Sequence, residues 1–471
     1  MNDRKGFGSN FGFLMAAVGS AVGLGNIWGF PNKMGANGGF PFLILYLALA
    51  LCCGVIIMLG ELALGRKTGH GAVGAYQSIS KRFKWLGWLG IAAAALIFSF
   101  YSALGGYCLR YVVVNFGNLI GAEFGTNGVG GADVFQGLLS QPDVSIAFAL
   151  AFMLITMLVV MSGVGGGIER VCSVGMPALF FILIICIIRS CTLPGAVDGL
   201  KYMFVPGWAV ANGIIDEAPG FWRVLSLSLG AGVMITYGSY LDKKQDLGKS
   251  TMIIVGMDTV VALMAGLCVI PGRFALDPNG ALGGPELLFI TMQNVFDKMG
   301  PAGPVFGILF YLLVFFAAIS SSISMLEVIV AHFCDKAREK GKGDRRKLYS
   351  AIAVVICAAL CALVCADGMG SNHISPAELL GLAGAKLPGW STSWLGLFDS
   401  VAEGLLMPLG ALLMCLMISW ELKPDVLRQE ILLNGENRPW VYDFFRLCVK
   451  YITPLCMLMI LYGQISDFFI V

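Results

Sequence analysis

Hydrocarbon offers no hydrogen bonds to backbone N–H and C=O groups. A chain made mostly of uncharged apolar stretches about 20 residues long is therefore confined to a bundle of membrane-crossing helices. This chain is built from such stretches. Residues 41–64, 86–109, 145–163, 174–188, 251–271, 305–331, 350–366, 401–420 and 447–462 are each nearly free of charge. Two more, 11–36 and 218–241, are equally apolar but broken by glycine, which brings the count to about eleven spans. Hydrophobic residues make up 57% of the chain and charged ones 13%, against about a quarter charged in soluble domains. The expected fold class is an all-α polytopic membrane protein.

The placement of charge orients the bundle. Residues 335–347 carry seven Lys or Arg, and Arg66, Lys67, Lys81, Arg82 and Lys84 mark a second basic loop. The segment 119–144 holds Glu123, Asp133 and Asp143 but no Lys or Arg. The positive-inside bias puts the N-terminus and the 335–347 loop in the cytoplasm and, with an odd number of spans, the C-terminus outside. The expected location is the inner (plasma) membrane, with the basic loop near anionic lipid and no nucleic-acid partner. The first apolar run is long, glycine-broken and without a cleavage-site pattern, so it reads as a span, not a cleaved signal.

Enzyme chemistry finds little support. Fourteen cysteines lie almost entirely inside apolar spans, and only His70, His332 and His373 are available as imidazoles. Cys357, Cys361 and Cys365 share one helical face, a spacing that suits a soft metal but more simply supplies small packing residues between helices. There is no Walker loop, serine elbow or Cys/His metal spacing.

The informative anomaly is where glycine falls. GSAVGLG (19–25) interrupts the first span and SLSLGAG (226–232) the sixth, roughly 205 residues further on. Glycine costs about 1 kcal/mol relative to alanine inside a helix, and broken backbone at membrane depth is tolerated only where it lines a cavity or is buried in protein. Close helix packing accounts for one such cluster. Two in matching positions, each beside polar side chains, point instead to unwound carbonyls that ligate a cation and half-helix N-termini that face an anion.

GSAVGLGNIWGFP (19–31) resembles the neurotransmitter:sodium symporter family, in particular its bacterial leucine- and tryptophan-transporter branch. GHGAVGAY (69–76), GIERV (167–171), SLSLGAGVMITYGSYL (226–241), SSSIS (320–324) and KYITP (450–454) extend the likeness over nearly the whole chain. The resemblance is to the eleven-helix form and implies a 5+5 inverted repeat, a scheme for which this family is itself a type example. Residues 1–190 would form the first five-helix repeat, 218–421 the second, inverted one, and 438–468 an additional helix. The implied function is sodium-coupled symport of an amino acid by alternating access.

The resemblance also implies two sodium sites. The first would use the Ala21 carbonyl, Asn26, Ser226 and Asp258; the second, the carbonyls of Gly19, Val22 and Ala317 with the hydroxyls of Ser320 and Ser321. Many relatives carry asparagine where Asp258 stands. Its carboxylate would supply the negative charge that related transporters take from chloride, so no chloride requirement is expected. An acid inside a span is a functional candidate by default, although serines inside spans often bond back to their own helix.

The substrate carboxylate would meet Tyr101 and the N–H groups of Leu24 and Gly25. Its amine would meet the carbonyls of Ala21, Leu225 and Ser226 and the Ser228 hydroxyl. Ser321 borders the same space. Gly23 stands where monoamine carriers have aspartate and leaves room for the substrate's own carboxylate. Ile97, Leu225, Ala231, Ser324 and Met325 would line the side-chain subsite. Leu225 and Ala231 replace phenylalanine, which leaves space for a bulky apolar or aromatic group.

The gates depart from the family. Its outer arginine is Gly29 here and that arginine's aspartate partner aligns with Ala402, with Arg223 and Glu403 as a candidate relocated pair. The inner gate would set Arg4 and Lys5 against the ends of helices six and eight, with Asp335 as one possible acidic partner. The altered outer gate keeps two alternatives open: a carrier of a non-α amino acid or other amine-bearing solute, and a sensor that binds without transporting.

Overall fold

The computed structural model describes residues 6–126, 128–207, 232–277, 284–343, 345–381, 389–422, 424–433 and 439–469. Among these residues every regular element is helical. The long elements, labelled in chain order, are α1 (Asn10–Ala21), α2 (Gly25–Ala36), α3 (Phe40–Thr68), α4 (Lys81–Ile120), α5 (Pro142–Met161) and α6 (Val164–Cys191). After them come the short α7 (Val233–Gly238), then α8 (Leu247–Leu276), α9 (Gly300–Glu339), α10 (Arg346–Gly370), α11 (Trp394–Glu421) and α12 (Pro439–Ser466). Nine are long and apolar enough to cross a membrane, and α1 with α2 makes a tenth span bent by 50°. The expected sixth span, 218–241, is described only from Gly232 onward.

Local chemistry sets the helix ends. Ser9 caps α1 by accepting a hydrogen bond from Gly12 N at 2.9 Å, and Asp246 does the same for α8 from Lys249 N at 3.0 Å, each satisfying an orphan donor of a first turn. Gly69 and Gly121 close α3 and α4 at φ 67°, the left-handed geometry that glycine adopts without Cβ strain.

The two longest helices, α4 and α9, pack on each other, and α1, α5, α6, α7, α10 and α11 each pack on one or both of them. Small residues allow the closest approaches: a Cβ on Gly106 of α4 would lie 2.6 Å from the Ala149 backbone of α5. Leu154, Leu158, Phe181, Ile188, Val355 and Ile356 stand exposed on the outer faces of α5, α6 and α10, the surface a bilayer would cover. Cys357, Cys361 and Cys365 are buried on α10, with the Cys357 thiol 3.8 Å from the Ala95 carbonyl of α4.

Candidate substrate and sodium site

The first span breaks where the sequence predicts. Val22 still donates to the Val18 carbonyl at 2.7 Å, but its own backbone is extended at φ −74°, ψ 112°. The chain resumes at Gly25 with a wide π turn, Gly25–Gly29, closed by Phe30 N onto the Gly25 carbonyl. A helix end leaves carbonyls without intrahelical partners. Here they converge on α9: Ser321 Oγ lies 3.0 Å from the Val22 carbonyl oxygen, 3.3 Å from that of Gly19 and 3.4 Å from that of Ser20. One hydroxyl proton cannot satisfy three acceptors, so the cluster keeps oxygen lone pairs facing one another, the donor set that suits a small hard cation. Ser320 Oγ, beside it, bonds back to the carbonyls of Phe316 (3.1 Å) and Ala317 (3.0 Å). If this cluster holds the second sodium ion, Ser321→Ala removes one ligand, a loss of about 1.5 kcal/mol. The sodium half-saturation of uptake should then rise roughly tenfold; an unchanged sodium titration would exclude Ser321 as a ligand.

The N–H side of the break faces α4. The buried Tyr101 hydroxyl accepts from Leu24 N at 2.7 Å. A Cβ on Gly23 would sit 2.6 Å from both the Tyr101 hydroxyl and Ser321 Oγ, whereas one on Gly25 or Gly29 would meet none of the described residues within 4 Å. Gly25 is exposed between the buried Leu24 and Asn26. The break thus grips α4 and α9 at Gly23 and, among the described residues, touches none at the Gly25 Cβ position.

Asn26 ties the break to α8. Its Oδ1 accepts from Gly23 N at 3.1 Å, and its Nδ2 donates to the Asp258 carboxylate at 2.8 Å and to the Asp258 carbonyl at 3.0 Å. Ala21, whose carbonyl is the other expected ligand, is half-buried at the end of α1. Ile97 is buried on α4 and Met325 half-buried on α9. Ser324 is buried, its hydroxyl 2.7 Å from that of Tyr237 and 3.1 Å from the Ser320 carbonyl. Leu225, Ser226, Ser228, Ala231 and Arg223 lie outside the described residues, as do Arg4 and Lys5.

Three further acids organise the site's surroundings without having been singled out in the sequence. Glu61 of α3 accepts from Met234 N at 3.1 Å, setting a carboxylate against the positive N-terminal end of α7; Gly232 precedes it at φ 69°. Glu169 of α6 accepts from Gly8 N at 2.7 Å and Ser9 Oγ at 2.8 Å, clasping the start of α1. Glu327 of α9 pairs with Arg346 of α10 at 2.5 Å and accepts from the Tyr240 hydroxyl at 2.6 Å. Asp335 accepts from Gly71 N at 3.2 Å. The readable signal for Glu61 and Glu327 was an acid inside an otherwise apolar run.

The helix α11 carries a π-helical segment, Ser400–Leu406. Within it Ala402 is fully buried, whereas Glu403 is half-buried. Asp399 lies one turn before Glu403 on the same helix, and both carboxylates act electrostatically on Lys33 of α2.

A helical bundle with a broken span, converging carbonyls and a carboxylate beside the break has the build of a cation-coupled carrier. The model of the sodium:neurotransmitter symporter family matches residues 4–127 and 132–469, and the chain belongs to that family. It is 36% identical to the sodium-dependent transporter YhdH of Bacillus subtilis, over 97% of each chain. It is 30% identical to a sodium-dependent transporter of Methanocaldococcus jannaschii, over 91% of this chain and 84% of the relative. The fold is similar to the crystal structure of MhsT in complex with L-phenylalanine, with a TM-score of 0.82 and 33% identity over 98% of this chain and 100% of that one. The protein is thus a sodium-dependent, multi-pass membrane transporter rather than an enzyme.

Proposed function

We propose that this protein is a symporter that carries an amino acid with a bulky apolar or aromatic side chain together with sodium, by alternating access. The observation that carries the reading is the paired geometry at the break. On one side the Tyr101 hydroxyl, which accepts from Leu24 N–H, has its own proton to donate beside Gly23; on the other, Asn26 and Asp258 form an oxygen-rich corner. In this reading an amino-acid carboxylate accepts a hydrogen bond from the Tyr101 hydroxyl and completes a cation's coordination beside Asp258. The MhsT structure contains L-phenylalanine, which supports an aromatic cargo here.

In this reading Ala21, Asn26, Ser226 and Asp258 hold one sodium ion, and Gly19, Val22, Ala317, Ser320 and Ser321 hold a second. Asp258 makes chloride dispensable. Residues 335–347 face the cytoplasm, and the two five-helix repeats, 1–190 and 218–421, rock against each other.

The test is uptake of a labelled amino-acid panel into proteoliposomes under an inward sodium gradient, with potassium as control. Sodium-dependent accumulation of phenylalanine, tryptophan or leucine is expected, with chloride replaceable by gluconate. Sodium-dependent thermal stabilisation without uptake of any α-amino acid would move the cargo to a non-α amino acid or another amine-bearing solute. Binding without counterflow would make the protein a sensor.

A further inference from the structure

We infer that a wide cavity at the basic end of α9 and α10 binds the phosphate headgroup of an anionic phospholipid, with the acyl chains lying along α5 and α10. The cavity has a volume of about 960 Å³ and lies between the segment ahead of α1, the corner joining α5 to α6, and the neighbouring ends of α9 and α10. That volume is within the range of small-molecule sites. Its lining holds four bases, Arg338, Arg345, Arg346 and Lys347, against one acid, Glu169. Arg346 is engaged within the protein, by Glu327 at 2.5 Å and the Val160 carbonyl at 3.3 Å. Glu169 is engaged too, by Gly8 N and Ser9 Oγ. Arg338, Arg345 and Lys347 form no ion pair with another described residue. Three cations without a described counter-charge therefore border one concave space.

Like charges held together repel, and a phosphate between them would relieve that repulsion. The arginine fork matches phosphate oxygens two at a time. The first turns of α6 and α10 also border the cavity, and neither is capped by a side chain. Charge alone does not separate a lipid from a soluble phosphate, but the surroundings do. Met161 and Leu348 line the cavity as well, and each ends an apolar row. On α5 the row is Leu154, Leu158 and Met161; on α10 it is Leu348, Ile352 and Val355. Both have the i, i+4, i+7 spacing of one helix face. Leu154, Leu158, Leu348, Ile352 and Val355 are all exposed, on two helices that pack against each other. A headgroup in the cavity would have its chains begin on these rows, which a soluble phosphate has no use for.

The test is native mass spectrometry of the delipidated full-length protein titrated with phosphatidylglycerol. It needs no cargo, so it reads the same whether or not the transport proposal holds. One tightly held copy per chain is expected, with phosphatidylcholine at least tenfold weaker. Arg338→Gln combined with Lys347→Gln should weaken the phosphatidylglycerol adduct about thirtyfold. Lys336→Gln combined with Lys340→Gln removes as much charge from exposed positions of the same basic segment that do not line the cavity. That pair should change the affinity less than twofold. Glycerol 3-phosphate and inorganic phosphate should not bind at the same concentrations. An unchanged affinity in the first double variant, or equal weakening by both, would overturn the site. Either soluble phosphate binding as tightly as the lipid would overturn the lipid assignment. If the first double variant fails to fold, Lys347→Glu at its exposed position replaces it, with at least a tenfold loss expected and parental affinity overturning the site.

Discussion

Replacing Asp258 by asparagine is expected to raise the sodium half-saturation of uptake by on the order of a hundredfold and to make uptake chloride-dependent. The argument is electrostatic. Asp258 lies beside the broken span, fixed by two hydrogen bonds from Asn26 Nδ2 at 2.8 and 3.0 Å. A unit charge 4 Å from a cation is worth about 4 kcal/mol at an effective dielectric of 20. Desolvation takes back part of that, and the remainder, near 3 kcal/mol, corresponds to about two decades in affinity. The asparagine variant keeps the shape and an oxygen ligand, so it isolates charge from packing. A mobile anion that entered the site would replace the missing charge, which is why chloride should begin to matter. The measurement is sodium-dependent uptake in chloride and in gluconate for parent and variant. An Asp258→Asn protein with ordinary sodium affinity in gluconate would remove Asp258 from the coordination sphere.

The second large effect is expected from Gly23→Ala, which should abolish uptake to below about 1% while leaving the protein folded. The added methyl carbon would sit 2.6 Å from both the Tyr101 hydroxyl and Ser321 Oγ, well inside van der Waals contact. Neither neighbour can retreat cheaply: Tyr101 accepts from Leu24 N and Ser321 is engaged with the carbonyls of Gly19 and Val22. Overpacking of this kind costs about 1–3 kcal/mol, too little to unfold a large bundle. The same displacement disturbs the proposed carboxylate corner and the proposed second sodium site together. The contrast is Gly25→Ala, whose Cβ meets none of the described residues within 4 Å; it should fold normally and lose activity only by crowding the cargo. A Gly23→Ala protein with normal uptake and normal stability would mean that the break does not close on α4 and α9 as described.

The bilayer made most of the fold readable, because it forces each span into one uncharged run of a set length. The broken first span was equally legible: Gly19, Gly23 and Gly25 fall together, and the backbone leaves helical geometry at Val22. The role expected of Gly23 was incomplete. Room for a substrate is one reason for glycine there, but contact with Tyr101 and Ser321 is a second, and it depends on two helices far away in sequence. The outer mouth was less legible for a different reason. Ala402 and Glu403 are visible in the sequence, but the π segment that holds them is a one-residue slip in register that composition does not announce. The contacts of Glu61, Glu169 and Glu327 were hidden in the same way. Each acid is visible in the sequence, yet its partner lies on another helix, at Met234, Gly8 and Arg346.

The clasp of Glu169 on the start of α1 bears on the tempo of the molecule. Two hydrogen bonds to an exposed carboxylate hold that end, worth together about 3 kcal/mol. Releasing them by thermal fluctuation gives an unfastened population of about one per cent, within the range of a minor state that a ligand can select. Release of the clasp therefore loosens the segment ahead of α1 and not the helix itself, because Phe13, Ala16, Ala17 and Val18 stay fully buried in the core; the first span has a fastened lead and a fixed body, two parts of one helix with different freedom.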